Sequence, residues 1–213
     1  DAANYILTQP TGLTANITAK TLTVTTPVAQ NKVYDGNTTA TITGTLSGVI
    51  SPDVVSLTLS GTFASFTVGT GIVVTSNSSL TGADAANYIL TQPTGLSSNI
   101  TAKALTIAGA TAQNKTYDGN NIAIITGSLS GVVSPDAVTL SLAGTFASSA
   151  VGTGIAVTST SSIGGADAAN YTLTQPTGLT ADISAYPIPA ITSSLTATAT
   201  YGTVASSYTI TAS

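Results

Sequence analysis

The sequence Lys-Val-Tyr-Asp-Gly at Lys32–Gly36 returns as Lys-Thr-Tyr-Asp-Gly at Lys115–Gly119, 83 residues further along the chain. A second sequence, Asp-Ala-Ala-Asn-Tyr, begins at Asp1, Asp84 and Asp167, and these copies are also 83 residues apart. A fixed period of this length indicates tandem copies of one small domain. The repeat therefore decides the domain organisation before any single residue is considered.

The two complete copies align without a gap. Residues 18–100 and 101–183 are identical at 57 of 83 aligned positions. The incomplete copy at the start and the absence of Met predict that the chain is a piece of a longer protein. The predicted organisation is the C-terminal end of a preceding repeat (1–19), repeat 1 (20–102), repeat 2 (103–185) and the start of a divergent unit (186–213).

The charge of the chain limits the partners that it can bind. It has four Lys, eight Asp and a net charge of −4. Nucleic acid binding needs a cluster of cations that displaces counterions from phosphate, and four dispersed Lys do not form one. No apolar run reaches the roughly 20 residues of a membrane-spanning helix. We therefore expect no nucleic acid partner and no membrane insertion of this part of the chain.

The composition also argues against catalysis. The chain has no His, Cys, Glu or Arg, which supply most acid–base and nucleophilic sites. The remaining Asp residues mostly lie in turn contexts. We expect no enzymatic activity and no cofactor.

Two kinds of cross-link between parts of the chain are compatible with its residues, a calcium ion and an isopeptide bond. Calcium binds carboxylate and carbonyl oxygens, and Asp84 and Asp167 are weak candidates for a site between repeats. The simpler interpretation is that each of these carboxylates makes or caps a turn, so that no metal is bound. A Lys–Asn isopeptide bond is a second option, with Lys20 or Lys32 and Asn87 as the required residue types beside Asp84.

Each repeat is predicted to consist of β-strands. β-Branched residues are abundant, and several segments alternate with period two. Val55, Leu57 and Leu59 would share one face of a strand, as would Leu22 and Val24. Turn residues separate these segments, which predicts about six or seven short, half-buried antiparallel strands per repeat. The fold class is therefore all-β.

A set of aromatic, acidic and glycine residues is predicted to form turns and the core. The Asp-Gly pair suits a tight turn because Gly adopts positive φ without steric cost. The tyrosines are expected to anchor a small core, and Asp84 is expected to cap one helical turn near Ala85–Asn87. The predicted turn and core residues are Tyr34, Asp35, Gly36 and Tyr88 in the first copy and Tyr117, Asp118, Gly119 and Tyr171 in the second.

Four segments together resemble a known family. They are Lys32–Thr38, Val68–Gly71, Gly82–Tyr88 and Ile100–Thr106. In combination they are similar to the YDG-type repeat of very large bacterial haemagglutinin-like and filamentous surface proteins. The tail from Tyr186 resembles the start of the mirror-β-grasp (MBG) repeat that often follows such units.

The resemblance implies tandem β-grasp-like or β-sandwich-like domains arranged as an elongated, extracellular array at the bacterial cell surface. It implies a role as stalk or spacer repeats of a secreted adhesin, with the neighbouring repeats of the same chain as partners. It transfers no catalytic or ligand-binding residue. Two alternatives stay open: the repeats bind host glycan or host protein, or they mediate self-association in biofilm.

Overall fold

The structure is a computed structural model that describes residues 1–188 of the 213-residue chain. The predicted divergent unit at 186–213 lies almost wholly outside the described residues. Contacts divide the chain into two compact units. The first unit comprises Asp1–Gly109, Gly127–Ser141 and Ser161–Pro176, and the second comprises Ala110–Thr126, Leu142–Thr160 and the residues from Thr177 onward.

Repeat 1 forms ten strands and repeat 2 forms ten more at equivalent positions. Those of repeat 1 are β1 (Lys20–Ala29), β2 (Lys32–Val33), β3 (Thr39–Ala40), β4 (Ile42–Ser47), β5 (Ser56–Thr58), β6 (Gly61–Phe63), β7 (Gly69–Ser76), β8 (Ser79–Thr81), β9 (Tyr88–Leu90) and β10 (Leu96–Thr101). Those of repeat 2 are β11 (Lys103–Ala112), β12 (Lys115–Thr116), β13 (Ile122–Ala123), β14 (Ile125–Ser130), β15 (Thr139–Ser141), β16 (Gly144–Phe146), β17 (Gly152–Ser159), β18 (Ser162–Gly164), β19 (Tyr171–Thr174) and β20 (Leu179–Ser184).

Repeat 1 lies entirely in the first unit and builds three sheets there. Their strand orders are β4-β1-β9, β2-β10-β7-β6-β3 and β5-β8. Repeat 2 repeats this arrangement as β14-β11-β19, β12-β20-β17-β16-β13 and β15-β18. Among the described residues the helical segments are three-residue 3₁₀ turns, and none is long or apolar enough to cross a membrane. The fold is all-β, as the sequence predicts.

The core of the first unit lies between two sheets. Ala29 and Ile42 of the three-stranded sheet join Phe63, Val74 and Ile100 of the five-stranded sheet in one buried cluster. Two layers of sheet around one apolar core form a sandwich-like arrangement. The same cluster includes residues of repeat 2, namely Leu105 and Tyr171. The first unit therefore has a core to which both sequence repeats contribute.

The second unit has its own core around its five-stranded sheet. Phe146, Val157 and Ile183 are buried there together with Ala123 and Ile125. Each of these residues lies 83 positions after a residue in the core of the first unit. Phe146, for example, is the equivalent of Phe63. Equivalent sequence thus produces an equivalent five-stranded sheet and the same buried side chains.

The strand prediction was correct in type and wrong in number and direction. The alternation is confirmed, because Leu22 is buried and the side chains of Val55, Leu57 and Leu59 lie half-buried between exposed neighbours. However, each repeat has ten strands rather than six or seven, because two-residue pairings such as β2 leave no periodic signal. In addition, β1 pairs with β9 and β10 pairs with β2 in parallel. The long connection between such strands allows this, and periodicity alone does not reveal it.

The predicted helical turn forms, but Asp84 does not cap it. Ala85–Asn87 is a 3₁₀ turn with no side-chain cap hydrogen bond, and Ala168–Asn170 repeats it. The Asp84 carboxylate instead accepts a hydrogen bond from the Val54 N–H at 2.8 Å. A capping Asp84 would accept from an N–H of its own 3₁₀ turn. Here the carboxylate accepts from an N–H thirty residues earlier in the chain instead.

Candidate functional site: the junction between the repeats

Two tyrosines and one aspartate meet where repeat 1 contacts repeat 2 within the first unit. The hydroxyl of Tyr34 donates to Oδ2 of Asp136 at 2.7 Å, and the hydroxyl of Tyr171 donates to the same oxygen at 2.6 Å. The two rings pack edge to face, with their centroids 5.3 Å apart and their planes at 77°. We call Tyr34, Asp136 and Tyr171 the junction triad. Tyr34 belongs to repeat 1 and the other two residues to repeat 2.

The strand β2 and a tight turn position Tyr34. Its N–H donates to the carbonyl of Thr101 at 2.9 Å, which extends the parallel pairing of β2 with β10 by one residue. Gly36 follows with φ of 77°, which a glycine adopts without strain. Asp35 stabilises the turn by accepting from the Asn37 N–H at 3.2 Å and from Lys32 Nζ at 2.6 Å. We call Lys32–Asn37 the Tyr34 loop.

The side chain of Lys32 makes two further contacts that stabilise the Tyr34 loop. Lys32 Nζ lies 5.7 Å from the centroid of the Phe63 ring and donates to Asn37 Oδ1 at 3.1 Å. Burial acts to raise the pKa of the Asp35 carboxyl, but the hydrogen bonds from Lys32 and the Asn37 N–H outweigh it and lower the pKa below 3.8. The loop is therefore held in shape by charge at neutral pH.

The loop after β14 positions Asp136. Its N–H donates to the carbonyl of Val133 at 2.9 Å, which closes a turn around Pro135. The Val133 N–H in turn donates to the Tyr171 hydroxyl at 3.0 Å. The Tyr171 hydroxyl therefore accepts one hydrogen bond and donates another. These two bonds hold β19 against the Asp136 turn without any contribution from Tyr34.

The triad is buried. Tyr34 is 1% exposed and Tyr171 is 5% exposed. Burial raises the pKa of Tyr34 far above its ordinary value, and the hydrogen bond to Asp136 and the charge of that carboxylate raise it further. Burial also raises the pKa of Tyr171, and the Asp136 hydrogen bond adds to it while the Val133 N–H opposes it. Both phenols therefore stay protonated and act as hydrogen-bond donors, which suits a structural link.

Two more contacts continue the junction around the triad. The Val68 N–H donates to Asn170 Oδ1 at 3.1 Å, and Asn170 is only 6% exposed. A Cβ built on Gly36 would lie 3.0 Å from Val133 Cγ1, so only a glycine allows the Tyr34 loop to approach so closely. The junction thus combines a further hydrogen bond with a close apolar approach beside the triad.

Repeat 1 contains the equivalents of Asp136 and Tyr171, namely Asp53 and Tyr88. The Tyr88 hydroxyl donates to Asp53 Oδ2 at 2.7 Å and accepts from the Ile50 N–H at 3.1 Å. The hydrogen bond to Asp53 raises the pKa of Tyr88, while the Ile50 N–H lowers it. Among residues 1–188 no second tyrosine donates to Asp53 in the way that Tyr34 donates to Asp136.

The other predicted residues lie at equivalent turns in repeat 2. Asp118 accepts from Lys115 Nζ at 2.8 Å, which lowers its pKa, and Gly119 has φ of 79°. Tyr117, however, is 44% exposed although Tyr34 is buried. The sequence Tyr-Asp-Gly-Asn is the same in both loops, so the difference in exposure arises mainly from what lies against each tyrosine.

Each calcium candidate accepts a hydrogen bond from a backbone N–H of a loop thirty residues earlier. Asp167 Oδ2 accepts from the Ala137 N–H at 2.8 Å, as Asp84 does from Val54. The described part of the chain contains no group of three or more acidic, His or Cys residues that could hold a metal ion. That no metal is bound stays a prediction, which a calcium-binding measurement would test.

Sequence reasoning missed Asp53 and Asp136, which it counted only among the Asp residues in turn contexts. A signal was present, because the sequence Ser-Pro-Asp recurs at the same register as Tyr88 and Tyr171. What the sequence does not show is that a phenol and a carboxylate 102 residues apart would meet.

Comparison with known proteins identifies the repeats. The family profile described as the YDG domain matches residues 18–95 and again residues 101–178. The two matches follow the 83-residue period and confirm the resemblance seen in the sequence, whereas the MBG resemblance of the tail has no match. No curated protein and no solved structure matches the chain.

Proposed function

Since the chain belongs to the YDG domain family, we propose that its tandem repeats are structural spacers of a secreted bacterial surface adhesin. The array would lie outside the cell and project an adhesive region away from the surface. Its partners in this role are the neighbouring repeats of the same chain. Tandem domains that contact mainly their neighbours form such quasi-one-dimensional arrays.

The observation that carries this proposal is the buried junction triad. A flexible tether needs no ordered contact between repeats, whereas a spacer that keeps its length under load does. The hydroxyl of Tyr34 reaches a carboxylate of repeat 2 at 2.7 Å, and the Tyr34 ring is excluded from solvent. A hydrogen bond to a charged group stabilises by about 1.5–3 kcal/mol, so the contact resists bending between adjacent repeats.

The chemistry of the chain supports a role without catalysis or cofactor. The triad holds phenols in their protonated form, which makes them donors rather than nucleophiles at neutral pH. The chain has no His, Cys, Glu or Arg with which another acid–base centre could be assembled. The scarcity of cations also supports a role that involves neither nucleic acid nor membrane surface.

Small-angle X-ray scattering of the dilute chain, with calcium and with chelator, tests the proposal. If the repeats act as a spacer, the particle should be extended in both conditions, with a maximum dimension well above the roughly 30 Å of one compact 83-residue domain. A compact particle in both would overturn the spacer and direct attention to host glycan or host protein as ligand. A particle that is extended only with calcium would show that a bound metal ion is needed to hold the repeats in line.

A matched pair of variants sharpens the scattering experiment. Asp136→Asn weakens the acceptor that receives Tyr34, while Asp53→Asn makes the same change at a carboxylate that receives only Tyr88 among residues 1–188. We expect a broader distribution of dimensions for Asp136→Asn than for Asp53→Asn. Equal profiles for the two variants would show that the junction triad does not hold the repeats in place.

A further inference from the structure

We infer that each repeat contains a mechanical clamp: two parallel strand pairs, β1–β9 and β2–β10 in repeat 1, carry a pulling force across the repeat in shear. We call these two pairs the load clamp. The inference deepens the proposed spacer role and rests on it for the purpose of the clamp, which is to keep the length of a repeat constant when the chain is pulled from both ends.

The load clamp joins the start of repeat 1 to its end. β1 opens the repeat, and residues 20–22 of this strand pair with residues 88–90 of β9. β2 follows β1, and residues 32–33 pair with residues 100–101 of β10, the last strand. Each pairing closes a loop of chain, and the residues inside that loop cannot be extended until the pairing breaks. A force applied to the two ends of the repeat therefore acts on the load clamp first.

The direction of the strands decides how this force acts on their hydrogen bonds. In both pairs one strand is pulled from its N-terminal end, by the chain before it, and the other from its C-terminal end, by the chain after it. Because the paired strands run parallel, these ends lie at opposite ends of the ladder, and its hydrogen bonds bear the force together. In an antiparallel pair the same two ends lie side by side, so the bonds would break one after another.

A side chain and a loop lengthen the short β2–β10 ladder. The Tyr34 N–H adds a hydrogen bond to the Thr101 carbonyl at 2.9 Å. At the other end of the ladder, Asn31 Oδ1 accepts from the Asn99 N–H at 2.9 Å and from the Ser98 hydroxyl at 2.8 Å. The Asn31 side chain acts here as a backbone carbonyl would and continues the pairing along β10. The hydrogen bonds that resist shear therefore extend from Ser98 to Thr101.

Two buried side chains shield the load clamp from water. Leu22 of β1 is 0% exposed and Ile100 of β10 is 1% exposed. The Thr91 N–H donates to the Leu22 carbonyl at 2.9 Å, which extends the β1–β9 ladder beside this apolar cover. A hydrogen bond under force breaks more easily when water can replace the lost partner, so exclusion of water slows rupture.

The same clamp returns in repeat 2, directly after the first. β10 ends at Thr101 and β11 begins at Lys103, so one residue separates the two repeats. β11 pairs with β19 and β12 pairs with β20, both in parallel. Asn114 Oδ1 accepts from the Asp182 N–H at 2.8 Å, as Asn31 accepts from β10. Force that leaves the first clamp therefore enters the second without a slack linker.

Single-molecule force spectroscopy of the full chain tests the inference. The chain has no Cys, so introduced cysteines define where the handles attach. Handles at Ala19→Cys and Ala102→Cys pull the load clamp of repeat 1 in shear. Handles at Ala19→Cys and Ala86→Cys pull β1 and β9 from the same end and open their ladder stepwise. We expect a rupture force about threefold higher in the first geometry, since three residue pairs of this ladder share the force.

A side-chain variant makes the test specific for the load clamp. Asn31→Ala removes the acceptor of two hydrogen bonds from β10 and should lower the rupture force between handles at 19 and 102. It should leave the force between handles at 19 and 86 unchanged, because that geometry does not pull on β2–β10. Asn114→Ala makes the same change in repeat 2, outside the pulled segment, and is the matched control. Rupture under force reports the rate of unfolding, so equilibrium stability alone does not determine it.

Equal rupture forces in the two geometries would overturn the inference, and so would a shear rupture force that Asn31→Ala leaves unchanged. Scattering of the unloaded chain separates this failure from failure of the spacer role. An extended particle with equal rupture forces would keep the spacer and remove the clamp. A compact particle with a higher rupture force in shear would keep the clamp and remove the spacer.

Discussion

Residues 1–18 and residues 84–101 have almost the same sequence and different structures. Of the 18 positions, only Thr14/Ser97 and Ala15/Ser98 differ, which leaves 16 identities. In both copies the 3₁₀ turn after the aspartate forms, at Ala2–Asn4 and at Ala85–Asn87. The two strands that follow the turn form only in the second copy, as β9 and β10.

The burial of equivalent side chains shows the reason for this difference. Leu96 is 8% exposed and Ile100 is 1% exposed, whereas Leu13 and Ile17 are 79% and 102% exposed. β10 lies between β7 and β2, whereas residues 13–18 pair with no strand among those described. A 3₁₀ turn needs hydrogen bonds only to residues three positions away, but a strand needs partners that come from elsewhere in the chain.

The same lesson applies to Tyr34 and Tyr117. Both loops share the hydrogen bond from the Lys ammonium to the carbonyl of the Asn five positions later, because this bond joins residues that are close in sequence. Tyr34 is covered because the Ser-Pro-Asp turn of the next repeat lies against it, and among residues 1–188 no such turn contacts Tyr117. Local sequence forms the loop, and the neighbouring repeat decides whether its phenol is buried.

The largest effect should come from truncating the buried isoleucine of β10. We expect Ile100→Ala to lower the free energy of unfolding by about 3–4 kcal/mol, because it removes buried methyl groups and leaves a cavity. Ile17→Ala is the matched control in the exposed copy and should change it by less than about 0.5 kcal/mol. Urea denaturation of both variants provides the measurement. Similar losses in the two variants would show that residues 13–18 are packed.

The next effect should come from the tyrosine hydroxyls. Tyr34→Phe removes a buried hydrogen bond to a carboxylate and should cost about 1.5–2 kcal/mol of unfolding free energy. Tyr117→Phe, the same change in the exposed copy, should cost almost nothing in dilute solution. Urea denaturation of the two variants measures both costs. Equal effects at the two positions would contradict a buried donor at Tyr34.

Alkaline pH should weaken the junction in a way that depends on the same hydroxyl. The pKa values of Tyr34 and Tyr171 are raised above the ordinary 10.0 in the folded chain. Above about pH 10 the unfolded chain therefore loses protons that the folded chain keeps, and stability falls by up to about 1.4 kcal/mol per pH unit for each retained proton. Below pH 10 this contribution is fully present.

Denaturation at about pH 9, 10 and 11 measures this slope. Tyr34→Phe should reduce the slope by about one proton, whereas Tyr117→Phe should leave it unchanged. A wild-type stability that stays constant across this range would contradict the raised pKa values in the folded chain.

The sequence predicts the repeats, their strands and the Asp-Gly turns, because all of these are periodic or local. It does not predict which carboxylate Tyr34 reaches. Asp53 lies 19 residues after Tyr34, and Asp136 lies 102 residues after it, which is the same 19 plus one period of 83. Two identical registers make the two pairings indistinguishable in sequence. Only the packing of the chain shows that the phenol contacts the next repeat.

The role of Asp84 is hidden for a related reason. Its position before a 3₁₀ turn suggests a cap, but its carboxylate accepts from the Val54 N–H in a loop thirty residues away. A residue type that caps turns well also accepts well from any N–H that tertiary structure brings near. The capping preference of Asp describes which hydrogen bonds Asp84 can accept from its own turn. It does not show which N–H of the folded chain lies close enough to donate to it.

The smallest expected effect concerns a bulge at which the two repeats differ. The pairing of β1 with β4 shifts register between Thr25 and Val28, and Thr26 there has φ of 49°, a left-handed conformation that costs a β-branched residue about 1–2 kcal/mol. Repeat 2 has Gly109 at this position, with φ of 64°. Thr26→Gly should therefore stabilise by about 0.5–1 kcal/mol after the entropy of the added glycine in the unfolded chain is subtracted.

The reciprocal change separates backbone strain from packing. A Cβ on Gly109 would meet nothing within 4 Å, so Gly109→Thr has no clash and should destabilise by about 1 kcal/mol through its backbone conformation alone. Thermal denaturation of the two single variants gives both values. Opposite signs would show that the left-handed position itself determines the preference. Losses in both variants would instead mean that the Thr26 side chain makes a favourable contact that outweighs its strain, and that the two repeats stabilise the same bulge by different means.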